Sequence, residues 1–167
     1  MLVLPAIANG QSFELSGSAG PTITDAGNSL AVSAGFSPTS RLTIAANFER
    51  THLSSRESFE GGVFSSFRGG TLFLGSAELR FAPLRRDRLG PYGVAGFAAG
   101  VSRPNVNARF PNRVTNDVRA LFVGGGVNVP VSDRLAVFAD TRMIFGAEGT
   151  EGIVAVAPLR AGIAWRF

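Results

Sequence analysis

The chain carries one histidine, His52, two residues before Ser54 in the run His52-Leu53-Ser54, with Glu57 and Glu60 close behind. A serine becomes a nucleophile when a histidine takes its proton and a carboxylate orients that histidine. Ser54, His52 and Glu57 are therefore the candidate catalytic set. So short a pattern also arises easily by chance, and the chain is read as a non-enzyme, with this set as the alternative. A second group is basic. Arg103, Arg109 and Arg113 alternate with Asn105, Asn107 and Asn112 in a loop-like segment. Arginine forks match phosphate geometry, so this loop suits lipopolysaccharide phosphates or an anionic glycan; otherwise it is a solvated loop. A third group interrupts apolar segments: Glu14, Glu49, Glu78 and Asp140 with Arg80, Arg142, Arg160 and Arg166. Cysteine is absent, which excludes a disulfide framework or a Cys-based metal site. Neither a metal-ligand spacing nor a phosphate-binding glycine loop stands out, so no metal and no cofactor is expected.

The elements that hold these groups are bounded by composition. A length of 167 residues is one domain. Charge is sparse at 17% and aromatic content high, unlike a disordered chain. No apolar run reaches the roughly 18 to 20 residues of a membrane-spanning helix. The 21 glycines fall throughout the apolar segments, and each would cost a helix interior about 1 kcal/mol relative to Ala. An all-β chain remains. Its 16 basic residues are all arginine and give a net charge of +4. They are spread along the chain without a cluster interleaved with stacking aromatics, so no nucleic-acid partner is expected. Residues 1–10, MLVLPAIANG, read as a signal-peptide remnant with an Ala6-Ile7-Ala8 cleavage site, or as a flexible N-terminus. Residues 11–167 form the domain.

From Ser12 the hydropathy alternates with period two, as in strands with distinct faces. In the last strand Leu159, Ala161, Ile163, Trp165 and Phe167 share one face; Arg160, Gly162, Ala164 and Arg166 share the other. The preceding strand sets Leu135, Val137, Ala139, Thr141, Met143 and Phe145 against Ala136, Phe138, Asp140, Arg142 and Ile144. Five earlier segments alternate in the same way. The stretch Tyr92 to Val101 is strand-like with no assignable faces, and it brings the count to eight. The eight strand charges fall on the mixed face, four of each sign, so the net +4 lies on turns, loops and strand ends. A balanced set suits a narrow interior where each charge meets a partner. Turning Arg142 into lipid would cost about 2 to 4 kcal/mol.

The connections alternate in length. Short turns fall at Ser37–Arg41, Pro83–Gly90 and Pro130–Asp133. Longer stretches run over Pro21–Asn28, His52–Arg68, Ser102–Asp117 and Ala147–Gly152. Three turns on one rim and four loops on the other describe eight up-and-down antiparallel strands, with both termini at the short-turn rim. Phe13, Phe36, Phe81, Tyr92, Trp165 and Phe167 are expected as an aromatic belt near that rim, and Phe48, Phe73 and Phe145 as a second belt.

With Leu159-Arg160-Ala161-Gly162-Ile163-Ala164-Trp165-Arg166-Phe167 at its end, the chain resembles the small outer-membrane β-barrel family of OmpA-like and Opa-type proteins. The resemblance implies an eight-stranded transmembrane β-barrel in a Gram-negative-type outer membrane, reached through the periplasm, with short periplasmic turns and longer extracellular loops. It also implies that Leu159, Ala161, Ile163, Trp165 and Phe167 form the signal read by the barrel-insertion machinery. The expected partners are outer-membrane lipid and lipopolysaccharide, and the expected state is a monomer. An eight-stranded interior is just wide enough for side chains, so Glu14, Glu49, Glu78, Arg80, Asp140, Arg142 and Arg160 would plug it. Function would then sit in the loops. Two alternatives stay open: a narrow channel for ions or small hydrophobic molecules, and a hydrolase resembling the lipid A deacylases, barrels that also contain an H-x-S pair.

Overall fold

Pairing, rather than hydropathy, sets where each strand ends. A computed structural model describes residues 11–23, 27–60, 63–67, 69–84, 88–106, 111–149 and 152–167, with the backbone alone for 56–60, 63–67 and 152. The expected signal segment and Arg109 lie outside the described residues. Eleven strands form in chain order: β1 (Ser12–Thr22), β2 (Gly27–Ser37), β3 (Leu42–Leu53), β4 (Arg56–Glu60), β5 (Val63–Phe67), β6 (Gly70–Phe81), β7 (Gly90–Pro104), β8 (Asn116–Pro130), β9 (Leu135–Glu148), β10 (Gly152–Val156) and β11 (Leu159–Arg166). Neighbours pair antiparallel in the order β1-β2-β3-β6-β7-β8-β9-β11, and β11 returns to β1. β10 and β11 keep one register against β9, with Val156 opposite Ile144 and Leu159 opposite Thr141. They are one stave interrupted at Ala157-Pro158, where proline has no N–H to give the ladder. The result is a closed eight-stranded antiparallel barrel with no helix among the described residues.

Three of the long connections are shorter than the polar composition suggested. Pro21 pairs with Asn28, Ser102 with Asn116, and Ile153 with Ala147. Ladder hydrogen bonds satisfy the backbone whatever the side chains prefer, so polar residues continue the staves. The fourth connection, His52–Arg68, contains the hairpin β4-β5, a separate two-stranded sheet.

The staves alternate as parity requires. Leu15, Val32, Phe48, Phe97, Leu121, Met143 and Ile163 face outward, while Glu14, Glu49, Glu78, Asp140, Arg142 and Arg160 are buried inside. Two aromatic groups flank the outer wall: Phe13 packs tilted against Phe36 at 5.1 Å near the short turns, and Phe48 stacks on Phe73 at 6.5 Å toward the loops. Tyr92 corrects the expected belt. It stands on the inner face of β7 and donates its hydroxyl to Asp140 Oδ2 at 3.0 Å. The inner face is also less polar than the charge count implied. Toward the loops it carries Leu53, Leu72, Leu74, Val118, Phe122, Ile144, Val154 and Val156, all buried; the charges share the rest with small and apolar residues such as Ala45, Ala136 and Phe138.

Four charged inner side chains lie opposite a glycine on the next stave. Glu14 faces Gly35, Glu78 faces Gly96, Arg142 faces Gly124 and Asp140 faces Gly126. A Cβ added at Gly126 would lie 2.6 Å from the Asp140 Cβ, and one at Gly96 2.6 Å from the Phe122 ring. The run Gly124-Gly125-Gly126 therefore makes room for the charged pair beside it. Gly126→Val is expected to cost about 1 to 3 kcal/mol through overpacking. A lowered urea midpoint of the refolded barrel checks this, and an unchanged midpoint refutes it.

Candidate functional site

Because inner residues of adjacent staves meet across a narrow lumen, charges far apart in sequence become neighbours. They form one chain of alternating sign. Arg166 Nε reaches Glu14 Oε2 at 3.2 Å, and Arg80 Nη1 reaches Glu14 Oε1 at 3.2 Å. Arg80 Nε donates to Glu78 Oε1 at 2.6 Å. Arg142 bridges Glu78 Oε2 and Asp140 Oδ2, the latter at 3.4 Å. Arg160 holds both Asp140 oxygens, at 2.9 and 3.0 Å, and passes its Nη1 to Glu49 Oε2 at 3.0 Å. Glu49 Oε1 is closed off by the hydroxyls of Ser29 at 2.8 Å and Thr51 at 3.1 Å. The order is thus Arg166, Glu14, Arg80, Glu78, Arg142, Asp140, Arg160, Glu49.

Every lumen residue singled out in the sequence belongs to this chain, together with Arg166. Tyr92, Ser29 and Thr51 were missed. The side chains of Glu78 and Asp140 are 0% exposed, beyond the reach of a water-sized probe. Arg142 Nε is the only buried side-chain polar atom without a hydrogen-bond partner among the described residues. The same guanidinium lies 5.3 Å over the Phe122 ring, an attraction that partly offsets the missing bond. What such an arrangement does chemically is fill space and hold register. Each carboxylate meets at least one guanidinium, which limits the cost of removing both from water.

His52 and Ser54 do not share a strand. β3 ends at Leu53, and His52 Nδ1 lies 3.5 Å from Thr71 Oγ1. Glu57 is on β4, and its side chain lies outside the described residues. Among the described residues no hydrogen bond joins His52 to Ser54.

The basic loop residues lie at the far end of the barrel. Arg103 is exposed near the end of β7, with its guanidinium 5.6 Å over the Phe73 ring. Arg50 is exposed opposite Phe73 on β3, so two arginines flank one outward aromatic. An open cavity of about 440 Å³ is lined by Arg103, Asn105, Arg113 and Thr115, among others. Arg103 and Arg113 therefore border one cavity. The terminal residues Leu159, Ala161, Ile163, Trp165 and Phe167 all face outward. Phe167 N donates to Phe13 O at 2.9 Å, closing the seam between first and last staves.

No family model and no curated protein sequence matches the chain. Solved structures do. The N-terminal β-barrel domain of Pseudomonas aeruginosa OprF superposes with a TM-score of 0.68 at 15% identity, covering 93% of this chain and 97% of that one. Neisserial surface protein A gives 0.65 at 16% identity, covering 94% and 96%. Yersinia pestis Ail, the attachment invasion locus protein, solved with the heparin analogue sucrose octasulfate, gives 0.59 at 15% identity, covering 96% and 100%. At these identities the likeness is one of fold: the chain has the architecture of the small eight-stranded outer-membrane barrels.

Proposed function

We propose that the protein resides in the outer membrane of a Gram-negative-type cell as a barrel with a structural and surface-interaction role. The observation that carries this reading is the direction of the side chains. A wall rich in Leu, Val, Ile, Phe and Met faces out, and eight charged side chains meet inside. Water would not favour so large an apolar surface, and acyl chains would. The buried Arg–acid chain plugs the lumen, so the channel alternative loses support. The placement of His52 and Ser54 lends none to the hydrolase alternative. The last strand, Leu159 to Phe167, acts as the signal for the insertion machinery, and the barrel works as a monomer.

At the loop end, Arg103 and Arg113 hold phosphate or sulfate groups of a surface glycolipid or anionic glycan. Arg50 and Arg119, exposed on the wall below, face lipopolysaccharide phosphates. Sucrose octasulfate, the ligand in the Ail structure, is a suitable probe. Arg103→Gln combined with Arg113→Gln is expected to weaken its binding roughly tenfold, about 1.4 kcal/mol, and to flatten the salt dependence. Calorimetry on the refolded barrel reads both, and unchanged affinity removes the loop-anion reading. Planar-bilayer recording tests the plug: steady conductance at moderate voltage would refute it.

A further inference from the structure

The loop end of the lumen is a cup. A cavity of about 140 Å³ opens between the ends of β3, β6, β7, β9 and β10, with walls that include Leu53, Leu72 and Val154. Deeper in the barrel Leu74, Val118, Phe122 and Ile144 belong to the same buried apolar cluster and close the lumen, meeting the ionised chain where Leu74 lies opposite Glu49. Among the described residues one acid, Glu148, stands at its mouth. Glu148 Oε1 accepts hydrogen bonds from Ser102 Oγ and from Asn116 Nδ2, the latter at 3.1 Å. Both are neutral donors, so they orient the carboxylate without cancelling its charge. Arg103, at the same mouth, turns its guanidinium over Phe73 on the outer wall.

We infer that this cup binds a small amphiphile: an apolar group of six to eight heavy atoms carrying a cationic amine. Size and charge both argue for it. A cavity of about 150 Å³ with apolar walls takes benzene, so the side of the cup formed by Leu53, Leu72 and Val154 offers a ring or short alkyl group a surface of the right size. The rim carboxylate adds a charge-assisted hydrogen bond to an ammonium and repels an acid. The closed floor makes the site a receptor and not a passage. The inference uses the barrel fold; Arg103 borders both this cup and the anion cavity, and no step of the argument for the amphiphile uses it.

The experiment uses the full chain, methyl-labelled and folded in zwitterionic phosphatidylcholine nanodiscs, titrated with benzylamine, benzyl alcohol and benzoate. Saturable shifts are expected in the methyls of Leu53, Leu72 and Val154, tightest for benzylamine and weakest for benzoate. The outward methyls of Leu15 and Ile163 report partition into the bilayer. Glu148→Gln retains the oxygen that accepts from Ser102 and Asn116, and is expected to weaken benzylamine roughly tenfold while leaving benzyl alcohol unchanged. Shifts confined to Leu15 and Ile163, equal affinity for the three probes, or benzylamine binding indifferent to Glu148→Gln would each overturn the proposal.

Discussion

Replacing Asp140 by alanine is expected to cost about 3 to 5 kcal/mol, the range for stranding charge inside a protein. Asp140 accepts four hydrogen bonds, from Arg160 through both oxygens, from Arg142 Nη2 and from the Tyr92 hydroxyl. Its removal leaves four guanidinium groups against three carboxylates in the alternating chain. Arg160 keeps Glu49 and Arg142 keeps Glu78, so the barrel is expected to fold and to unfold early. Asp140→Asn preserves volume and one acceptor, and should cost less. Pairing Asp140→Ala with Arg160→Met should cost less than the sum of the two changes, because the second removes the charge that the first exposed. Urea midpoints in phospholipid vesicles at neutral pH measure all four proteins. A loss below about 1 kcal/mol for Asp140→Ala would place this chain among the ion pairs that contribute little.

The residues of that chain were legible in the sequence, and their order was not. Glu14, Glu78, Asp140 and Arg160 interrupt apolar alternation at fixed parity, so composition and period place them on one face. Which acid meets which arginine depends on the stagger of staves around a closed barrel. Glu49 and Arg160 touch across 111 positions, and no local pattern encodes such a pair. Tyr92 was misplaced for a different reason. Both faces of β7 are small or apolar, with Val94, Gly96 and Ala98 inside and Ala95, Phe97 and Ala99 outside, so hydropathy has no period there. A usable signal lay in the glycines, since an inner Gly on one stave marks a large inner neighbour on the next. Glu148 escaped notice because it sits at the end of β9, where the sequence reads as loop and only register shows that it turns inward.

Placing an arginine on the outer wall should separate a membrane barrel from a soluble one by the sign of its effect. Phe97 is the chosen site. It is 62% exposed, and it lies opposite Ala77 and Leu121 in the ladder. Ala77 is midway between Phe73 and Phe81 on β6. Eight residues at about 3.4 Å each put those two rings roughly 27 Å apart along the strand, or about 21 Å along an axis tilted by about 40°. That is close to the roughly 25 Å apolar band of outer-membrane barrels, with Phe97 at its middle. Phe97→Arg is therefore expected to cost about 2 to 4 kcal/mol in a bilayer. On the proposed membrane reading the same charge is tolerated at Arg103 because the end of β7 would lie at the interface, where the cost falls to about 0 to 1 kcal/mol. If the wall faced water, exchanging an exposed phenylalanine for arginine would change stability by no more than about 0.5 kcal/mol and would improve solubility. Vesicle-reconstituted barrels unfolded in urea read the difference: a neutral Phe97→Arg would mean that the outer wall meets water, and the assignment of the barrel to a membrane would fall with it.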